Sequence, residues 1–566
     1  MGCASSAGPP TIQSAPTDAY NSDITGGAPP GIHITHGYGS EQMNSHPDGH
    51  LVLSESYDSF QLTFQAVSGD GALFEDPDFP TNESSLVAKR DNSDINWLRP
   101  CDISSNPRML VDGISRDDII QGILADCWFL APCAALACHK EHIGRVIPSK
   151  QPLSGPDYLG MVYFRFWRFG RWVEVVIDDR LPVKPNGQLL FARSSDQDEF
   201  WPALLEKAYA KLHGGYQGLA GGMAMDAFVD LTSGLSETYD YSNGDTPQDL
   251  FGILFRGART GAFMTCSRKN SKWWDVEADE NGIVSGHSYT VTDVQVIQTS
   301  NGQYVQLLRI RNPWANDTEW NGDWSDTSQL WDYVSDQEKA KLKLRLDTDG
   351  EFWMSLNDFL QQFNKVITCT VGPDFDGDGT ADVTTRVGSI ELLMVHGSWV
   401  EGVNAGGCAN HKTYGINPQF VFTISQPDDF DPWRDPAMKH GKCSVVIALM
   451  QEYRRTRQNI KPIREKIGFT LYKTNTANQR VSQDWLKKNY GGIGNSGLYI
   501  NHREVQLRCL LEPGHYVVLP TTFDPDKECS FILRIFSEKP IMCKSFASVH
   551  KVQFCLNKPM NLGQYH

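Results

Sequence analysis

The stretch Gln-Gly-Ile-Leu-Ala-Asp-Cys-Trp-Phe-Leu, residues 121–130, is the part of this chain on which its interpretation depends. The apolar run after Asp126 predicts a helix that begins at Cys127. A helix N-terminus lowers the pKa of a cysteine, because the positive end of the helix dipole favours the thiolate. The amide of Gln121, six residues upstream, can donate a hydrogen bond to a developing oxyanion. The stretch therefore predicts a nucleophilic thiol with an oxyanion donor nearby.

Two motifs farther along the chain supply the groups that such a thiol needs. His287 follows Gly286 and opens a predicted strand, and its imidazole can act as the general base. Asn312 precedes Pro313 and can accept the imidazole N–H, while Trp314 can shield that bond from water. Alone, each motif is more often a buried cysteine, a structural histidine or an Asn-Pro turn. Their order, Cys–His–Asn, is that of a cysteine-protease triad.

Composition limits the classes of protein to consider. A chain of 566 residues predicts about three compact units, and its net charge of −17 argues against nucleic-acid partners. Thirteen cysteines occur without any CxxC spacing, which favours reduced thiols in the cytoplasm over a disulfide framework. No apolar run approaches the roughly 18–20 residues that cross a bilayer. We therefore expect a cytoplasmic protein.

The N-terminus, Met-Gly-Cys-Ala-Ser-Ser, matches an acylation signal. Gly2 with Ser6 fits the myristoylation pattern, and Cys3 is a candidate for palmitoylation. Two acyl chains would anchor the protein stably on the cytoplasmic face of a membrane, whereas one gives marginal binding. The alternative is a chance match at the start of a disordered segment.

The pattern of elements divides the chain into five regions. Residues 1–55 are rich in Gly, Pro and Ser and are predicted to be disordered. A mixed α/β core follows at 56–365, with two lobes that meet near 230–240, and then an acidic connector at 366–394. Short β runs predict an antiparallel sandwich at 395–546, and 547–566 is interpreted as a polar tail.

Individual elements are predicted within these regions. Apolar spacing predicts a helix from Trp201 to Leu212, and Ser355 with Asp358 predicts the N-cap of another. The predicted strands of the core are Val162–Trp167, Trp172–Ile177, Ser288–Ile297 and Tyr304–Ile310. Those of the sandwich are Gln419–Ile424, Ser444–Leu449, Gly468–Tyr472, His515–Leu519 and Ser530–Phe536.

Further segments carry a family resemblance that covers roughly residues 57 to 540. They are Leu-Phe-Glu-Asp-Pro-Asp-Phe-Pro at 73–80, the runs 172–182 and 200–211, Asp-Gly-Glu-Phe-Trp-Met-Ser at 349–355, and the pair 405–408 and 417–420. Together with the triad they resemble the calpain family of calcium-dependent cysteine endopeptidases. The resemblance implies an α+β fold, a two-lobed papain-like cysteine protease core followed by an antiparallel C2-like β-sandwich.

Two positions depart from the family pattern. Ala125 stands where the family usually has glycine, and its methyl group is expected to crowd the oxyanion region or shift activity. Pro132 lies inside the nucleophile helix, where it removes one backbone donor. Neither change removes a catalytic group.

The resemblance also implies a core that is inactive until each lobe binds one calcium ion. Oxygen ligands of high negative charge suit Ca²⁺ rather than zinc. In the first lobe the matching ligands are the carbonyls of Val111 and Gly113 and the carboxylates of Asp118 and Glu199. In the second lobe they are Glu319, Asp326, Asp349, Glu351 and the carbonyl of Asp347. Without the resemblance, these carboxylates would be interpreted as a solvated acidic face.

Two other groups of charged residues are candidates for binding ions. One is a segment outside the family pattern, and the other consists of loops in the sandwich. Residues 374–382 read D-x-D-x-D-G-x-x-D, the opening of an EF-hand loop, but position 12 is Thr385 instead of glutamate, so a solvated linker is equally compatible. The sandwich carries Asp428, Asp429, Asp431 and Asp435, followed by Arg454, Arg455 and Arg457. These loops can bind calcium, anionic lipid or each other, or remain ordinary charged loops.

The sequence thus predicts a calcium-activated intracellular cysteine endopeptidase that makes limited cuts in protein substrates. The expected further partner is a membrane surface, reached through acylation and the C2-like domain. No small-subunit heterodimer is expected, because the chain ends without the penta-EF-hand domain of conventional calpains. Two alternatives stay open: a membrane-tethered calpain-like scaffold with little or no protease activity, and another thiol acyl-transfer enzyme such as a transglutaminase-like or deubiquitinating one.

Overall fold

The computed structural model describes residues 72–86, 94–247, 249–269, 277–371, 391–430, 439–452, 464–477, 479–537, 539, 541–545 and 552–554. Several predictions fall outside these ranges and stay predictions. They concern the segment 1–55 with Gly2 and Cys3, the EF-hand-like segment 374–382, Asp431 and Asp435, and Arg454, Arg455 and Arg457.

The helices of the described ranges are numbered in chain order. They are α1 Pro100–Ile103, α2 Cys127–Ala137, α3 Lys140–Val146, α4 Trp201–Leu212, α5 Ala224–Thr232, α6 Leu250–Arg259, α7 Asp336–Leu342, α8 Leu356–Gln362 and α9 Gln483–Lys488. None of them combines the length and the apolar composition that crossing a membrane requires.

The strands are numbered in the same way. Those of the first half are β1 Asn96–Leu98, β2 Met161–Arg168, β3 Arg171–Asp178, β4 Leu181–Val183, β5 Leu235–Asp240, β6 Phe263–Ser267, β7 Ser288–Gln298, β8 Tyr304–Arg311, β9 Glu351–Ser355 and β10 Lys365–Thr370. Those of the second half are β11 Glu391–Trp399, β12 Phe420–Ile424, β13 Cys443–Gln451, β14 Ile467–Thr474, β15 Gly494–Asn495, β16 Glu504–Leu511, β17 Gly514–Thr522, β18 Cys529–Ser537, β19 Ile541–Ser545 and β20 Val552–Phe554.

The described residues fall into two compact units, one that ends at Val371 and one that begins at Glu391. In the first unit, helix α2 is the centre of the packing. Every residue from Trp128 to Ala137 is buried, so this helix is covered on all sides. It contacts α5 and the hairpin partner helix α3 in its own lobe, and strands β6 and β7 of the other lobe.

The second lobe of this unit is built on one antiparallel sheet of six strands in the order β5-β10-β6-β7-β8-β9. The first lobe instead has mostly helices and the hairpin β2–β3. Phe169 and Gly170, at the tip of this hairpin, have φ values of 45° and 94°, the left-handed pair that a tight hairpin turn requires.

The helix predictions in this unit are confirmed. Helix α4 begins at Trp201 and ends at Leu212, as the apolar spacing predicts. Helix α8 begins after Ser355, whose hydroxyl oxygen accepts the Asp358 N–H at 3.1 Å. The cap works because the first N–H groups of a helix have no partner within the helix.

The second unit is a sandwich of two antiparallel five-stranded sheets, ordered β16-β13-β18-β11-β20 and β15-β14-β17-β12-β19. Its core consists of inward-facing apolar side chains from both sheets, among them Val445, Phe469 and Leu533. The predicted strands of the sandwich are all present. The predicted fold class, an α+β protease core followed by an antiparallel sandwich, is confirmed.

The boundaries of the predicted regions differ from those of the structure at three points. Strand β10 extends the sheet of the core past 365 to Thr370, because it pairs with both β5 and β6. Strand β11 starts at Glu391, inside the predicted connector. Within the predicted tail, Val552–Phe554 pairs with residues 393–395 of β11, and its Val-Gln-Phe sequence has the alternation of a strand.

Candidate active site

Cys127 is the first residue of helix α2 and is partly exposed. The backbone N–H groups of Ser288, the first residue of β7, and of Trp128 favour its thiolate and lower its pKa. Burial nevertheless raises the pKa of Cys127 to about 11, because it removes water from the thiolate, and the backbone N–H groups lower it less. The expected depression of this pKa by the helix N-terminus is therefore outweighed by desolvation.

His287 is buried, and its Nε2 atom lies 2.8 Å from Asn312 Oδ1. The orientation of the Asn312 amide is fixed by two other bonds, since Nδ2 donates to the Thr318 carbonyl at 3.1 Å and Oδ1 accepts the Trp314 N–H at 3.1 Å. Because Asn312 presents an acceptor, Nε2 of His287 must carry the proton. Nδ1 is left with a free lone pair, the state that a general base needs.

The surroundings keep this imidazole neutral. Burial lowers the pKa of His287 to about 4, and the hydrogen bond to Asn312 opposes that shift. The Trp314 ring lies 4.8 Å from the imidazole, centroid to centroid, and covers it as predicted. The resting pair is thus a neutral thiol and a neutral imidazole, so the proton must move during the reaction.

Gln121 is held in place from both lobes. Its Nε2 donates to the Leu124 carbonyl at 2.7 Å, and its backbone N–H donates to the Pro313 carbonyl at 2.9 Å. The second Nε2 hydrogen faces Asp126 Oδ1 at 3.5 Å, a long contact, so this hydrogen is the one that can turn to a ligand. The neighbouring Gly122 has no room for a side chain, because a Cβ there would lie 2.3 Å from the Phe191 carbonyl oxygen. This glycine is a positioning residue that sequence analysis missed.

The two departures from the family pattern are accommodated. Ala125 is exposed, and its backbone is outside the left-handed region that favours glycine. Its carbonyl accepts the Gly221 N–H at 2.8 Å. Helix α2 continues through Pro132 to Ala137.

The predicted ligands of the first lobe lie together. Glu199 accepts the Val111 N–H at 2.7 Å and the Ser194 hydroxyl at 2.8 Å, and its carboxylate interacts directly with that of Asp118. Gly113 follows in a left-handed turn with φ of 99°. Burial raises the pKa of Glu199 to about 7, and the Asp118 charge adds to the shift. Two carboxylates next to two carbonyl-bearing residues form an oxygen-only set.

The predicted ligands of the second lobe also lie within reach of one another. Both carboxylate oxygens of Asp326 are buried, and no described residue donates to either. Burial raises the pKa of Asp326 to about 7, and the charges of Glu319, Asp349, Asp347 and Glu351 each add to the shift. A cation at this position would offset that repulsion, so the donor set fits Ca²⁺.

Two of these side chains already have partners. Glu319 accepts the Gly350 N–H at 2.6 Å, and Glu351 forms two bonds of 2.8 Å with Arg116. Across the described ranges, no group of three or more His, Cys, Asp or Glu side chains is arranged to hold a metal ion. The carboxylates are therefore neighbours, and a bound ion would require them to draw together.

The Arg116–Glu351 ion pair joins the two lobes next to both carboxylate groups. Arg116 lies two residues before Asp118, and Glu351 also accepts the Thr292 hydroxyl at 2.8 Å. A second contact between the lobes runs from Asp117 to Arg311 at 3.3 Å. Neither pair could be predicted from the sequence, because the members of each pair are far apart in the chain.

The acidic loop of the sandwich is partly neutralised within its own unit. Asp428 Oδ2 accepts the Ser444 N–H at 2.6 Å, and Asp429 lies 2.7 Å from the Lys539 ammonium. The described acidic residues of this loop therefore have protein partners, and a bound ion is not needed to account for their charge.

Comparison with known proteins agrees with this geometry. The family described as "Calpain family cysteine protease" matches residues 74–370, and "Calpain large subunit, domain III" matches residues 395–536. Calpain-A of Drosophila melanogaster is 42% identical over 85% of this chain and 57% of its own length. For Calpain-B of the same organism the values are 41%, 86% and 52%, and for the Calpain-1 catalytic subunit of Rattus norvegicus they are 41%, 88% and 69%.

These matches define a papain-like thiol protease core with a calpain-type sandwich. The chain belongs to the calpain family of cysteine proteases. It spans between about half and two thirds of the length of these relatives.

We predict that Gly122→Ala lowers kcat/KM for peptide cleavage by about tenfold or more, because the new methyl group displaces the backbone that carries Gln121. Gly144→Ala is the matched control, since a Cβ at Gly144 meets no atom within 4 Å. Both variants should be assayed with their melting temperatures. An unchanged kcat/KM in a folded Gly122→Ala variant would contradict the positioning role.

Proposed function

We propose that this protein is a calcium-activated cysteine endopeptidase in which Cys127 is the nucleophile and His287 the general base. The observation that carries the proposal is the 2.8 Å bond from His287 to Asn312. The strand that begins directly after His287 packs against the helix that begins at Cys127. Asn312 fixes the tautomer and so directs the basic Nδ1 atom of the ring. The family membership supports peptide hydrolysis as the reaction.

The chemistry follows from the protonation states. His287 Nδ1 takes the thiol proton while Cys127 Sγ attacks the peptide carbonyl carbon. The oxyanion is stabilised by the Gln121 amide and by the Cys127 backbone N–H, which has no acceptor within its helix. The tetrahedral intermediate collapses as the imidazolium protonates the leaving amine. Water then hydrolyses the thioester with His287 again as the base.

Calcium would be held by the two carboxylate groups, Asp118 with Glu199 in the first lobe and Glu319, Asp326 and Asp349 in the second. It would supply positive charge that offsets their mutual repulsion. The Arg116–Glu351 pair lies between the two groups and joins the lobes that carry Cys127 and His287. A change at either group therefore acts on the alignment of nucleophile and base, provided that the ion favours the aligned form.

Attachment to a membrane through Gly2 and Cys3 remains part of the proposal. It concerns residues that the structure does not describe. The principal alternative function is a calpain-like scaffold tethered in the same way.

We predict that the purified protein cleaves casein in millimolar calcium, and that Cys127→Ala abolishes cleavage because it removes the thiol that would form the thioester. Cys138→Ala, an exposed cysteine directly after the same helix, is the matched control and should retain activity. Cleavage in a calcium chelator would refute the calcium requirement but would still be compatible with Cys127 as the nucleophile. A folded protein without cleavage in either condition would favour the scaffold.

We further predict that Asp326→Asn weakens calcium binding at the second lobe by about tenfold or more, because the ligand set loses one negative charge. Calorimetric titration in the Cys127→Ala background avoids self-cleavage and does not depend on activity. Asp323→Asn, at an exposed position of the same loop, should leave the titration unchanged. Identical titrations for the two variants would exclude Asp326 as a ligand.

A further inference from the structure

A pair of buried carboxyl groups lies behind the nucleophile and is not used by the mechanism above. Asp126 directly precedes Cys127, yet its side chain does not cap helix α2. Glu206 lies in the middle of helix α4, among residues that are all buried. Asp126 and Glu206 are 0% and 1% exposed, and no Lys, Arg or His of the described residues forms an ion pair with either.

In each carboxyl group, one oxygen faces an N–H donor. Asp126 Oδ1 faces Gln121 Nε2 at 3.5 Å, and Glu206 Oε2 accepts the Ala192 N–H at 3.0 Å. The remaining oxygens, Asp126 Oδ2 and Glu206 Oε1, are buried and receive no hydrogen bond from a described N–H or O–H donor. The two side chains nevertheless interact directly, and their interaction favours the charged form of Asp126 and the protonated form of Glu206. A hydrogen bond between two carboxyl groups requires a proton on one of them.

The electrostatics of the site agree with one shared proton. Burial raises the pKa of Glu206 well above its ordinary value, and the Asp126 charge raises it further. Burial also raises the pKa of Asp126, to about 7, while its hydrogen bonds lower it. The other titratable groups that face the pair are Cys127, Cys133 and Tyr216, which are all neutral when protonated. Two adjacent carboxylates without a counter-charge would repel each other strongly.

We propose that Glu206 is a positioning residue whose protonated carboxyl group donates to Asp126 Oδ2, so that Asp126 is held beside the Gln121 amide and the start of the nucleophile helix. The proposal rests on the proposed function of Cys127 and Gln121. The pair carries one negative charge instead of two. A second charge would oppose the Cys127 thiolate, whose formation the Asp126 charge already disfavours.

The arrangement explains why an oxyanion donor can stand next to a buried aspartate. One Nε2 hydrogen of Gln121 is donated to the Leu124 carbonyl. The Oε1 atom of Gln121 is buried and receives no hydrogen bond from the described residues. Its orientation therefore depends on the acceptors around Nε2, of which Asp126 is one. Loss of the proton donor on Glu206 would let Asp126 turn away, and the Gln121 amide would lose its second acceptor.

The test compares Glu206→Gln with Glu206→Leu. Glutamine keeps the shape, the acceptor for Ala192 and a neutral donor toward Asp126, whereas leucine keeps only the volume. We expect kcat to stay within about twofold for Glu206→Gln and to fall by about tenfold or more for Glu206→Leu, with little change in KM. Glu141→Gln, at an exposed position of helix α3, is the control for substitution alone. Equal losses in the Gln and Leu variants would overturn the proposal.

A second readout does not depend on catalysis or on the folding of Glu206→Leu. The infrared difference spectrum between the Cys127→Ala protein and the Cys127→Ala/Glu206→Gln protein at neutral pH isolates the Glu206 carboxyl group. A protonated-carboxyl band that is lost in the double variant is the expected result. Its absence would overturn the proposal even in an active enzyme. A protein that shows this band but has no Cys127-dependent cleavage would refute the proposed function. The same result would still support the shared proton of the Asp126–Glu206 pair.

Discussion

The packing of helix α2 against strand β7 is the contact on which the active site depends. The helix carries Cys127 at its start, and the strand follows directly after His287. Among the hydrogen bonds that join the lobes here, the Thr290 hydroxyl donates to the Ala131 carbonyl at 2.9 Å and the Gln121 N–H donates to the Pro313 carbonyl at 2.9 Å. The proposed nucleophile, base and oxyanion donor therefore share one interface between the lobes.

Charge at the edges of this interface opposes its assembly. Each lobe carries a cluster of carboxylates in which at least one group has a raised pKa, Glu199 in the first and Asp326 in the second. The Arg116–Glu351 pair compensates only part of the negative charge. The calcium requirement that we propose is consistent with this balance, because a cation would lower the cost of bringing the carboxylates together.

Desolvation at the centre of the interface determines which protonation states are favoured in the resting site. Burial raises the pKa of Cys127 and lowers that of His287, which favours their neutral forms, and it raises the pKa of Glu206, the residue that we propose shares a proton with Asp126. Cys127 and His287 therefore act from their neutral forms, and the charge of the Asp126–Glu206 pair is limited to one. The single tautomer of His287 and the fixed orientation of the Gln121 amide both result from hydrogen bonding in this buried region.

Much of this could be predicted from sequence, because local patterns carry it. The start of α2 at Cys127, the span of α4 and the cap at Ser355 each follow from a few neighbouring residues. The residues that sequence analysis missed depend on contacts between distant segments. Glu206 has the spacing of a core position on its helix, and nothing near it in sequence reveals that Asp126 faces it. The close approach of Gly122 to Phe191 is equally invisible without the fold.

The most direct test of the account is trapping with a peptide epoxide, followed by mass spectrometry of all thirteen cysteines. Such a reagent reacts with a thiol that a neighbouring imidazole deprotonates. We predict modification of Cys127 alone, faster with calcium and lost in His287→Ala. Modification of another cysteine, or labelling of Cys127 that does not depend on His287, would contradict the assembly of one active site across the two lobes.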